Sequence, residues 1–315
     1  MPPGNVDPGP LGVRLEDLAG RLAAGSMAVT VRDRLLLASY EACTVRVAVV
    51  APAVRETEAG PLQAVVQVIT DLPASHRAAL RGEAAEATAP LNRMGGLGAF
   101  HQNGGSVCLG SRLTILASDD AWHALHLPLL TTTVQCSPRA ALGAVRATLG
   151  HERPRSGDSF WTLRDLARVR DRLSGQCRCT ILGNRLSAGI ALSDEAAGVA
   201  ADDPLGARFR LVADQPHPAL GGGLLCQLQM PHRVDDAGRL ARMCHTLNQL
   251  EMSAHDLPPH FGAWCPDPSD THPAYVSFLP NALHACPDMA VHATLWALHR
   301  AHWARAMLAS TGAAI

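Results

Sequence analysis

Lysine is absent from this chain, and every basic residue other than histidine is an arginine. That excludes a Schiff-base lysine, a phosphate-loop lysine and a kinase-type lysine, because each of those chemistries needs the ε-ammonium. Charge of either sign is scarce, at 17% of residues, with a formal net charge of −1. Such a chain has no long-range field to recruit nucleic acid or anionic lipid. Only a local stripe of arginines would revive nucleic-acid binding. The sequence has no run of about 18 uncharged apolar residues, so no membrane-spanning helix is expected. It also lacks G-x-S-x-G, H-E-x-x-H, C-x-x-C and G-x-G-x-x-G, which removes the usual signatures of hydrolases, zinc proteases, thiol redox proteins and dinucleotide binders. His151-Glu152 lacks the second histidine of a zinc-protease helix.

Nine cysteines, an odd number scattered through apolar runs, read as reduced thiols filling small core positions. Residues 1–10 are rich in Pro and Gly and have neither the basic nor the apolar region of a signal peptide. A disordered tail and a cytoplasmic location are expected.

At 315 residues the chain suits two domains. A chain of this size buries roughly 75% of its extended-chain surface without staples. One pattern organises it. Leu91-Asn92 leads through Gly95-Gly96 to Gly98-Ala99-Phe100, then to a turn at Asn103-Gly104-Gly105 and an apolar run. Near the C-terminus Leu247-Asn248 leads to Gly262-Ala263-Trp264, then to a turn at Pro266-Asp267-Pro268 and a second apolar run.

The flanking patterns repeat as well. Leu11, Leu15, Leu18 and Leu22 predict a first helix. Strands are expected at 27–39, 43–51 and 62–72. A helix should follow over 76–92, then a hairpin about Asn103-Gly104, whose dipeptide is a strong hairpin signal. Helices over 121–135, where Pro128 is a possible break, and over 140–149 complete the first half. The second half starts with a helix at 160–173, striped by Leu163, Leu166, Val169 and Leu173. Its strands are expected at 177–182, 187–193, 208–214 and 224–230, with an acidic loop at 194–203. A helix over 236–252, a hairpin and a long helix over 289–310 follow.

We read an α+β fold made of two tandem copies of an α-β-β-β-α-β-β-α domain, each an antiparallel sheet with helices packed on it, paired as a pseudo-dimer. The expected boundaries are a tail at 1–10, a first copy at 11–150, a linker at 151–159 and a second copy at 160–315.

This element order, with the Leu-Asn helix ends and the Gly-Ala-aromatic hairpin starts, resembles type III secretion chaperones and the YbjN-like domains of bacteria. The resemblance covers nearly the whole chain as two tandem copies. It implies a non-enzymatic protein that binds other polypeptides or self-associates, with no catalytic residues and no cofactor.

Candidate chemistry is sparse. Cys177 and Cys179 share one face of an expected strand, and Cys226 on another strand is a possible third metal ligand; three small core residues are the plainer reading. His299 and His302 lie three apart on the last helix, with His292 seven before His299, a spacing fit for a metal or a general base. His123 and His126 form a similar pair in the first half. Cys265, Asp267, Asp270 and His272 cluster in the second hairpin turn, where Asp and Pro also serve backbone needs. Trp264, Tyr275, Trp296 and Trp303 either fill the second core or form a partner surface. The expected function is therefore protein interaction through sheet and helix surfaces. The rival is an enzyme or small-ligand protein using a cleft between the copies, and a deep pocket with converging polar groups would mark it.

Overall fold

The computed structural model describes residues 14–50, 63–80, 83–94, 96–103, 106–116, 119–150, 157–192, 206–254 and 257–311. The expected tail, the acidic loop and most of the linker, including His151 and Glu152, lie outside the described residues.

The first half opens with helix α1 (Leu15–Ala24), which buries Leu15, Leu18 and Leu22. Strands β1 (Ala28–Arg32), β2 (Leu35–Tyr40), β3 (Cys43–Val50) and β4 (Gln63–Asp71) follow. Two short helices, α2 (Ala74–Ala79) and α3 (Ala84–Arg93), lead to the hairpin β5 (Ala99–Asn103) and β6 (Ser106–Leu116). A helical turn, α4 (Asp119–Ala121), then passes through a π-helical turn, Trp122–His126, into α5 (Leu127–Thr148).

The second half repeats this programme. It comprises α6 (Leu163–Leu173), β7 (Cys179–Leu182), β8 (Arg185–Ile190), β9 (Ala207–His217), β10 (Gly221–Gln229) and α7 (Ala237–Ser253). The hairpin β11 (Gly262–Pro266) and β12 (Pro273–Pro280), a 3-10 turn and α8 (Met289–Thr311) complete it. Each half forms a six-stranded antiparallel sheet, ordered β1-β2-β3-β4-β6-β5 in the first and β7-β8-β9-β10-β12-β11 in the second. The α+β fold with two similar halves is thus as expected.

Three details differ from the sequence reading. The single strand expected over 27–39 is a hairpin, so four strands rather than three precede the helix. Its turn places Asp33 at φ 51°, a left-handed conformation that Asp tolerates better than most residues. The helix expected over 76–92 is two pieces, with Glu83 in extended conformation before α3. Conversely, the helices expected over 121–135 and 140–149 are one, because α5 runs straight through Pro138. A proline in a helix orphans the carbonyl four residues earlier. Here Ser137 Oγ lies 3.5 Å from the Val134 carbonyl and accepts a 2.7 Å bond from Thr70, so the defect is absorbed in a buried polar contact.

The repeated motif has a physical basis. Asn92 Oδ1 accepts the Phe100 N–H at 2.7 Å and its Nδ2 donates to the Phe100 carbonyl at 3.3 Å. Asn248 treats Trp264 identically, at 2.7 and 2.9 Å. β5 and β11 end their sheets, so each buried asparagine acts as a surrogate neighbouring strand for one residue and blunts that edge. The glycines that open the motif are required as well. A Cβ at Gly98 or Gly262 would collide with the carbonyl of Gly110 or Val276 on the next strand.

The halves meet through equivalent elements: α3 packs on α7, β5 touches β11, and the reciprocal contacts α3 to β11 and α7 to β5 are both present. That is the self-complementary pattern of a twofold interface, formed within one chain. Most buried apolar residues of both halves join one core, from Leu15 to Leu308, while Leu72, Leu91, Phe100, Val107 and Leu109 pack with Ala140, Ala144 and Val145 of α5 in a second, smaller one. Among the described residues, no helix is long and apolar enough to cross a membrane.

Candidate functional site

A fully buried polar cluster lies where the halves meet, and the sequence reading did not mark it. Glu251, at the end of α7, is fully buried. One oxygen receives Arg300 Nε from α8 at 2.5 Å; the other receives Trp264 Nε1 at 2.8 Å and lies 3.2 Å from His260 Nδ1. The Arg300 guanidinium sits 4.0 Å above the Tyr275 ring and donates to the Pro259 carbonyl at 2.8 Å. From the first half, Arg112 on β6 reaches in. Its Nε donates to the Glu251 carbonyl at 3.0 Å and its Nη2 to the Pro258 carbonyl at 2.7 Å. Its own backbone exchanges two bonds with His260, at 2.9 and 2.6 Å.

Electrostatics follow from this packing. Burial would raise the Glu251 pKa, but Arg300 and His260 outweigh it and hold the carboxyl at about 2. Burial lowers the His260 pKa despite Glu251. The ring's Nδ1 faces Glu251, while its buried Nε2 has no partner among the described residues. The adjoining cavity, bounded by Cys226, Tyr275, Ser277, Trp296 and Arg300, measures about 10 Å³. That is at most the room of one water. The cluster clamps the halves together.

The anticipated aromatic surface divides accordingly. Trp264 and Tyr275 are removed from it, because both are buried in the clamp. Trp296 and Trp303 are half-buried on α8. Trp296 packs edge-on against Phe261 at 5.3 Å and stacks on His292 at 5.9 Å.

The metal candidates do not assemble. His299 and His302 point to solvent. Cys177 and Cys179 are 3.6 Å apart, but Cys226 lies on β10, three strand spacings from β7, or roughly 14 Å. Among the described residues, no group of three His, Cys, Asp or Glu side chains could hold a metal. The Cys265-to-His272 turn is a backbone device, in which Asp267 Oδ1 caps the Thr271 and His272 amides at 2.9 and 3.0 Å. Arg93 from α3 bonds to Asp270 and to the Pro266 carbonyl across the interface. The depression left there, between α3 and α7, is about 260 Å³ and open; its one strong cation is already spent on these contacts.

His123 faces solvent. His126 is buried, and burial followed by the nearby His292 brings its pKa down to about 4.

The three most exposed large apolar side chains among the described residues lie at the start of the second half. Phe160 is 59% exposed, Leu163 58% and Leu182 82%. Their neighbours Ser159, Trp161, Gly183 and Asn184 line one open depression of about 490 Å³. The segment is held rather than loose. Asn281 Oδ1 accepts the Phe160 N–H at 2.9 Å and its Nδ2 donates to the Asp158 carbonyl at 2.8 Å. Thr162 and Asp165 form a capping box that starts α6. Trp161, just before that cap, packs into the same core as Leu166, a hydrophobic staple that uses one apolar residue. Phe160 is left over and faces out, and this surplus is the signal in the sequence that could have marked it. Beside the depression, β7 is the terminal strand of its sheet.

Compared with known protein families, curated proteins and solved structures, the chain has no match.

Proposed function

We propose that the protein binds another polypeptide, through the apolar end formed by Phe160, Leu163 and Leu182 and the adjoining edge strand β7. The observation that carries this reading is the concentration of three large, exposed apolar side chains beside β7, whose outer edge pairs with no other strand among the described residues. Exposed apolar surface on a folded body marks interaction sites, and a free edge accepts an extended segment by main-chain pairing. The first half is not built this way. The β1–β2 and β7–β8 hairpins correspond, and Arg32 pairs with Leu35 where Leu182 pairs with Arg185. The position of Leu182 is therefore an arginine in the other copy. The polar cluster that an enzyme would need is sealed inside the clamp, which favours binding over bond-making. The resemblance to secretion chaperones and YbjN-like domains, read as polypeptide binding, agrees with this function.

The test is fluorescence anisotropy with a permanently unfolded, reduced and alkylated polypeptide as probe. The natural chain should bind it, and the Phe160→Ser/Leu182→Asp variant should bind about tenfold or more weakly, since each side chain buries roughly 1.5–3 kcal/mol of apolar surface. Equal binding by both chains would reject this surface.

A further inference from the structure

We infer that the solvent face of β7, β8 and β9 takes an acidic polypeptide segment, laid as an added strand along β7. This rests on the polypeptide-binding reading above and names the chemistry of the partner.

Strand β9 alternates: Ala207, Phe209, Leu211 and Ala213 are buried and Arg208 and Arg210 are exposed. Register places Gly189 opposite Arg208, Ser187 opposite Arg210 and Arg185 opposite Val212. On the next strand Ser187 faces Thr180 and Arg185 faces Leu182. Arg178, two residues before Thr180, is exposed like Thr180 and Leu182. Four arginines, Arg178, Arg185, Arg208 and Arg210, therefore share one face of three strands. None of the four makes a side-chain hydrogen bond or ion pair among the described residues.

The first half shows how such a charge is otherwise neutralised. Arg46 pairs with Leu37 as Arg210 pairs with Ser187, so the two positions correspond. Arg46 is bound by Asp71, at 3.1 Å. Asp71 pairs with Thr44 and Gln229 with Arg208, so the second half has a glutamine where the first has its carboxylate. Gln229 donates to Asp267 instead. At the one cationic position the halves share, Arg210 thus stands without the carboxylate that holds Arg46, while Arg185 and Arg208 stand where the first half has Leu35 and Thr44.

The geometry selects the partner. Alternate residues of a strand lie about 7 Å apart on one face, and neighbouring strands about 5 Å apart. A segment paired with β7 sets alternate carboxylates within reach of Arg178 and, across one strand, Arg185, with planar guanidinium groups suited to bidentate pairing. Leu182 receives an apolar residue of the same segment. Single-stranded nucleic acid is bound largely by bases stacking on aromatic rings, and this face carries none.

The experiment is selection of a random peptide display library on the full chain and on a variant carrying Arg178→Gln, Arg185→Gln, Arg208→Gln and Arg210→Gln, with Arg178→Gln alone as a milder second variant. A single-stranded oligonucleotide and vesicles of phosphatidylglycerol and phosphatidylcholine are titrated in parallel. The natural chain should enrich Asp/Glu-rich peptides with interspersed apolar residues. The quadruple variant should bind them about tenfold or more weakly, and added salt should weaken the natural complex. Enriched peptides without acidic bias, bound equally by the variants, overturn this inference and leave the polypeptide-binding reading standing. Tighter binding of the oligonucleotide or the vesicles through the same arginines also overturns it. Failure to enrich any peptide removes both.

Discussion

Asn248 grips Trp264 by its backbone, Oδ1 on the amide at 2.7 Å and Nδ2 on the carbonyl at 2.9 Å. Asn92 grips Phe100 in the same way in the other half. Asn248→Ala leaves a buried donor and a buried acceptor unmet, each costing about 1–3 kcal/mol. We expect a loss of roughly 2–4 kcal/mol by urea unfolding. Asn248→Asp should cost nearly as much, since it keeps the acceptor and loses the donor. A change under about 0.5 kcal/mol in either variant would remove the asparagine from its bracing role.

The buried clamp predicts a strong asymmetry between its partners. Glu251→Gln leaves Arg300 without its counter-charge in the interior, and breaking a buried pair costs about 3–5 kcal/mol. Replacing both, as Glu251→Gln with Arg300→Met, should recover part of that loss. Thermal unfolding of the two single variants and the double variant measures the coupling. Additive losses would show that the two residues act independently.

Acid stability follows from the same group. The Glu251 carboxyl is depressed to about 2 in the folded chain, so the unfolded chain binds its proton first. Its stabilisation is complete above the unfolded value of about 4.3 and is lost as pH falls toward 2. A urea midpoint measured from pH 5 to pH 2 should fall steeply for the natural chain and more gently for Glu251→Gln.

His126 and His260 set a second acid phase at higher pH. Burial, with His292 nearby, depresses His126 to about 4, and burial lowers His260. A depressed histidine stabilises fully above its unfolded pKa, near 6.5, and its contribution drains away as pH falls through the folded value. Stability should therefore decline from about pH 6.5 to pH 4. His126→Gln should flatten that decline, and an unchanged slope would exclude His126 from it.

The sequence made the layout legible where the physics was local. Apolar periodicity gave most helices and strands, and the Leu-Asn and Gly-Ala-aromatic landmarks marked the matching hairpins. It failed where a local rule yielded to tertiary contacts: at Pro138, Ser137 reaches the Val134 carbonyl and takes a bond from Thr70. The clamp was invisible because Arg112, Glu251, His260 and Arg300 come from distant segments, and each looks like an ordinary surface residue in its own segment. The tryptophans drew attention by type alone, yet burial took Trp264 into the core while Phe160, beside the noted helix start, came out to solvent. The arginine face needed strand register, which alternation alone does not supply between strands joined by a long loop.

The most direct test of the account sets Leu182→Asp against Arg32→Asp in the polypeptide-binding titration. The two positions correspond between the halves, and only Leu182 lies in the proposed surface. The account predicts weaker binding by about tenfold or more for Leu182→Asp and unchanged binding for Arg32→Asp. Equal effects of the two substitutions, or none from Leu182→Asp, would contradict it.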